Sequence, residues 1–166
     1  MKQLDLLKDL EILKKQKMAE KEHRKFVDFM HPKFGLKEHP EYCDVLVRPL
    51  LLSGAYGSTM INLSNSFSRE ELMKFTLWHE SSHFLHDITN PIIFKEIGKA
   101  KEHSNWTYLA EIVADLGALV YLDYFEELCP EVFDKYNINI NPYLMNLGLG
   151  RKDMLAVMNI SIFDKN

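Results

Sequence analysis

Phe75-Thr76-Leu77-Trp78-His79-Glu80-Ser81-Ser82-His83-Phe84-Leu85-His86 is the stretch from which the rest of this chain is best read. His79 and His83 are four residues apart, so on a helix they project from one face, close enough to grip a single ion. Zinc is the natural first choice for two imidazoles. Manganese and iron also fit a site of two histidines and one carboxylate. Glu80, one position after the first histidine, flanks such an ion without chelating it, where a general base must stand to take a proton from water.

The frame around the motif is helical. Ser68 is a candidate N-cap, Glu71 would complete a capping box three residues on, and Phe67 with Leu72 would form a hydrophobic staple. This predicts a helix from Ser68 to about Asp87. A catalytic zinc keeps three protein ligands and one open position, so a third ligand has to come from another element. A helix expected over about Trp106 to Leu128 carries Glu111 and, one turn later on the same face, Asp115. Glu111 is the leading candidate for the metal. Asp115 is assigned to His79, because a ligating histidine usually donates its other ring N–H to an acceptor. His86 is the outside candidate for third ligand. Seven residues from His79 cover roughly 10.5 Å of helix axis, too far for one tetrahedral ion on an unbroken helix. For an oxyanion donor or substrate contact, Tyr108, His103, His86 and Tyr56 are suitable by type, and spacing fixes none of them.

Working outward, residues 3–30 place Leu4, Leu7, Leu10, Leu13, Phe26, Val27 and Met30 near a 3.6-residue period, predicting one or two amphipathic helices packed on the core. Cys43 to Leu52 reads as a strand, Gly54 and Gly57 as a turn, and Ser58 to Leu63 as a second strand antiparallel to the first. Were that second strand at an edge beside the site, it could hold an extended peptide by main-chain pairing. A short helix is expected from Pro91 to Ala100. Pro130 ends the last long helix, leaving residues 131–166 as a short helical tail. The expected fold class is therefore α+β: one domain over 1–166, with a short antiparallel sheet beside the histidine helix and a second, acidic helix.

Composition fits that reading. The chain has 166 residues, enough for a core without staples, and 46% of them are hydrophobic. A net charge of -4 gives no sequence-wide footprint for phosphate binding, so direct nucleic-acid binding is not expected. No apolar run is long enough to span a membrane and no signal-peptide pattern opens the chain, which points to the cytoplasm. Cys43 and Cys129 lie 86 positions apart without metal or redox spacing, and read as buried or idle thiols.

Residues 75–86 resemble the active-site helix of the ImmA/IrrE family, which reads approximately Phe-Thr-Leu-Ala-His-Glu-Leu-Gly-His with a trailing histidine. Met60-Ile61-Asn62-Leu63 is similar to that family's strand before the helix, Glu111-Ile112-Val113-Ala114-Asp115 to its acidic second helix, and Leu128-Cys129-Pro130-Glu131 to its Leu-Met-Pro stop. The resemblance spans about residues 45 to 131. It implies a gluzincin-type fold with His79, His83 and Glu111 on zinc and Glu80 as base. It also implies a metallopeptidase or regulator whose partner is a protein or peptide, such as a helix-turn-helix repressor. The chain departs from the pattern at Ser81-Ser82, which stand where Leu-Gly is usual, and in a longer interval from Asp115 to Pro130. Two functions follow as alternatives: a zinc-dependent endopeptidase, or a metal-dependent sensor or binding regulator with negligible turnover. A purely structural zinc is a third reading, and the retained glutamate base speaks against it.

Overall fold

The computed structural model describes residues 2–57, 59–100 and 105–126. The expected tail over 131–166, the Pro130 stop and Cys129 lie outside the described residues. Four helices and three strands follow in the order α1 (Lys2–Met30), β1 (Asp44–Arg48), β2 (Gly54–Gly57), β3 (Met60–Ser64), α2 (Glu70–Thr89), α3 (Pro91–Lys99) and α4 (Asn105–Glu126). The class is mixed α+β, as the sequence predicts.

The pairing of the strands differs from the expected antiparallel pair. The sheet order is β1-β3-β2, with β1 parallel to β3 in the register Asp44↔Met60 to Arg48↔Ser64. β2 runs antiparallel to β3 from Gly54↔Leu63 to Gly57↔Met60. Two local features account for the correction. Pro49 cannot donate a ladder hydrogen bond and stops β1, and the chain then crosses to the far side of β3 before it pairs again. Gly54 and Gly57 do not form the turn; they bracket β2, and the reversal into β3 falls at Thr59, which takes a positive φ of 63°. β3 is consequently the central strand, and cannot serve as a free edge for a peptide.

Ile61 and Leu63 of β3 and Val45 and Val47 of β1 alternate inward. With Ala19, Met73 and Leu77 they build the core cluster between the sheet and the helices. A second cluster joins Phe26, Val27 and Met30 of α1, Trp78, Phe84 and Leu85 of α2, and Val113, Leu116 and Leu119 of α4. α2 lies between these layers, with residues 80–86 all buried. The capping box does not form: the helix starts at Glu70, Arg69 is its extended N-cap with φ -136° and ψ 139°, and no side chain caps it. Glu70 and Glu71 instead place negative charge in the first turn, where the helix dipole favours it. Phe67 packs on the sheet-side core.

α1 is a single helix, but only part of it meets the core as expected. Ala19, Phe26, Val27 and Met30 are fully buried, whereas Leu6, Leu7, Leu10 and Leu13 stand about half exposed or more. No helix among the described residues is long and apolar enough to cross a membrane. Phe26→Ala should cost about 3–5 kcal/mol in chemical denaturation. Leu7→Ala, measured at low protein concentration, should stay within about 0.5 kcal/mol of wild type.

Candidate metal centre

α2 and α4 cross closely because small residues face each other. Ala110, Ala114, Gly117 and Ala118 are buried on α4, and Ser81 and Ser82 are fully buried on α2. A Cβ at Gly117 would stand 2.3 Å from Ser82 Oγ and 2.9 Å from Ser82 Cβ. No residue but glycine fits there without movement of α2. The serine at position 82 is tolerated because its hydroxyl turns back onto its own helix, donating to the Trp78 carbonyl at 2.8 Å.

This crossing brings the acidic pair of α4 onto the histidine face of α2. His79 Nδ1 lies 2.7 Å from Asp115 Oδ1. The ring N–H donates to the carboxylate, which turns Nε2 toward the site. Glu111 Oε2 is 3.1 Å from His79 Nε2, and Glu111 Oε1 is 3.3 Å from His83 Nε2. His79, Glu80 and His83 each present a ligand atom within 4.8 Å of the others. The His79-Glu80-His83 group could thus hold a metal ion. Glu111, expected as the third ligand, stands beside both histidines, and Asp115 stands behind His79.

The spacing also fits an ion. Two ligand atoms bonded at about 2.0–2.1 Å to one tetrahedral centre stand about 3.3 Å apart, close to the separations between Glu111 and the two rings. Without an ion, protons must hold these groups together. Burial alone would push the His79 imidazolium down, but hydrogen bonds to Asp115 and Glu111 and the nearby Glu80 charge outweigh it and push the pKa up to about 10. Glu111 is desolvated, which would raise its pKa, yet its contacts with His79 and His83 pull it well below the usual carboxylate range.

Glu80 is held by an element that the sequence reading did not connect to it. Burial, the largest influence, raises its carboxyl pKa against the opposing pull of His79 and His83, and β2 lies against the carboxylate. Close approach of β2 explains Gly54. A Cβ there would meet Thr76 Cγ2 at 2.8 Å and Glu80 Oε1 at 3.2 Å. In the sequence this glycine reads only as a turn residue.

The remaining candidates are placed unequally. Tyr56 offers its hydroxyl to Asp87 Oδ2 at 2.8 Å, so its side chain is engaged beside the site. His86 is buried and lies apart from the ligand group; its ring meets Phe94 of α3 at 5.4 Å, and burial lowers its pKa to about 4. Phe94 also sets its edge against the rings of His83, at 5.9 Å, and Tyr56, at 6.0 Å. No spacing rule marks Phe94 in the sequence, since it becomes a neighbour only when α3 folds back on α2. His103 and the Tyr108 side chain lie outside the described residues.

A further contact reaches the motif from α1. His23, almost fully buried, places Nδ1 2.8 Å from Ser81 Oγ and Nε2 3.4 Å from Cys43 Sγ. Burial lowers the His23 pKa to about 4 and raises the Cys43 thiol to about 12, so both groups are neutral near pH 7. This agrees with the reading of Cys43 as an idle thiol.

No protein-family model, curated protein or solved structure matches the chain.

Two outcomes test the geometry. Gly117→Ala should destabilise the fold by about 1–3 kcal/mol through overpacking, and adding Ser82→Gly should recover most of the loss in a double-mutant cycle by denaturation. Because His79 holds a proton up to about pH 10 in the metal-free protein and must lose it from the ligating nitrogen, loading at pH 7 should release protons. Calorimetry in buffers of different ionisation enthalpy reads that release, and apparent affinity should rise as pH rises toward 10.

Proposed function

We propose that the chain is a zinc-dependent endopeptidase. The observation that carries this reading is the cluster in which Asp115 holds the His79 ring through Nδ1, Glu111 spans His79 and His83, and the buried Glu80 lies within reach of both histidines. Two imidazoles and one carboxylate suit zinc, and three protein ligands leave a position for water. When bound, zinc would polarise a peptide carbonyl and lower the pKa of its water toward about 7.

The residues of the chain would do the rest. Asp115 keeps the His79 ring oriented through its Nδ1–H. The wall of β2 at Gly54 confines the Glu80 carboxylate beside the histidines. Burial raises the proton affinity of Glu80, which suits a base that takes a proton from water and returns it to a leaving amine. The helix-borne motif, the acidic second helix and the strand ahead of them support placing the chain with ImmA/IrrE-like metallopeptidases, acting in the cytoplasm on a regulatory protein such as a helix-turn-helix repressor.

The test compares wild type with Glu80→Gln by elemental analysis and by mass spectrometry of candidate repressors and an unfolded protein. Both should carry one equivalent of zinc, and cleavage should fall at least about 100-fold in the variant. Zinc in both proteins with no cleavage by either would favour a metal-dependent binding regulator. Absence of metal from both would refute the site.

A further inference from the structure

α1 extends past the body that it packs on. Its second half is seated through Ala19, Phe26 and Met30, all fully buried, whereas Leu6, Leu10 and Leu13 are 61%, 52% and 49% exposed. At about 100° per residue these three leucines share an arc about 60° wide, centred well away from Ala19, Phe26 and Met30, with the fully buried Val27 between the two arcs. The three leucines are therefore left largely outside the face that the core covers.

Their spacing, four residues and then three, is that of d, a and d positions in a heptad frame. On that frame Asp9 is a g position and Lys14 is the e position of the next heptad. In a parallel pair of identical helices, g of one faces the following e of the other, so Asp9 meets Lys14 of the second copy and the reciprocal pair forms across the axis. An antiparallel copy would instead set Asp9 against Gln16 and Lys14 against Leu7. We propose that residues 5–17 of α1 form a short parallel helical pair with a second copy of this chain, sealed by Leu6, Leu10 and Leu13 and flanked by two Asp9–Lys14 ion pairs. Lys17 and Glu20 occupy the next a and d positions and end the seam, so the dimer is reversible and dissociates on dilution.

Sedimentation equilibrium of the full chain at low salt tests this across a concentration series, together with Leu10→Glu/Leu13→Glu, Asp9→Lys, Lys14→Asp and the double reversal Asp9→Lys/Lys14→Asp. All four positions are exposed, and circular dichroism checks that each variant keeps its helices. The wild-type mass should move from one chain toward two, the leucine variant should remain at one, each single reversal should weaken the dimer several-fold, and the double reversal should restore it. A wild type that stays at one chain throughout would overturn the proposal, as would a dimer that survives loss of the leucines. Failure of the double reversal to recover the dimer would overturn the parallel register.

Discussion

The distance between α2 and α4 is the constraint on which the site depends. Gly117 and Ser82 set it: one side chain is absent and the other is folded onto its own backbone. Only at that separation can a carboxylate as short as Asp115 reach His79 Nδ1 at 2.7 Å while Glu111, one turn earlier, lies between both imidazoles. A wider crossing would leave Asp115, which is almost fully buried, as an unpaired charge, an expensive state in a nonpolar interior. The packing of small residues and the electrostatics of the cluster therefore support one another. Stability and the capacity to hold an ion are set by the same contact.

The sheet contributes from the other side. β2 approaches α2 closely beside Glu80, and Gly54 is what permits that approach. His23 ties α1 to Ser81 within the same turn of α2. The motif is thus held from three directions: by α4 at its ligands, by β2 at its carboxylate, and by α1 behind it. Pre-organisation of this kind limits the rearrangement needed to hold an ion.

Much of this was legible in the sequence, for reasons that are local. His79, Glu80 and His83 announce themselves through helical spacing, and Glu111 and Asp115 through the same rule applied to a second helix. What the sequence concealed depends on tertiary contact. Gly54 and Gly57 carry turn chemistry, but whether a glycine marks a reversal or a close approach of strand to helix is decided by what packs on it. The parallel pairing of β1 with β3 was hidden because alternation of Val and Leu sets which face is buried and says nothing of strand direction. Ser68 satisfied a capping pattern that the helix, starting at Glu70, does not use. Phe94 belongs to a helix without a buried residue of its own, and only the return of α3 over α2 brings it to His83.

The most direct test of the central claim is an anomalous-scattering experiment at the zinc edge on crystals of the protein loaded with one equivalent of zinc. The account predicts one peak per chain, bounded by Nε2 of His79, Nε2 of His83 and the Glu111 carboxylate at bond lengths of about 2.0–2.2 Å, with Glu80 beside it and Asp115 still bonded to His79 Nδ1. A peak placed elsewhere, or none at this cluster, would contradict it.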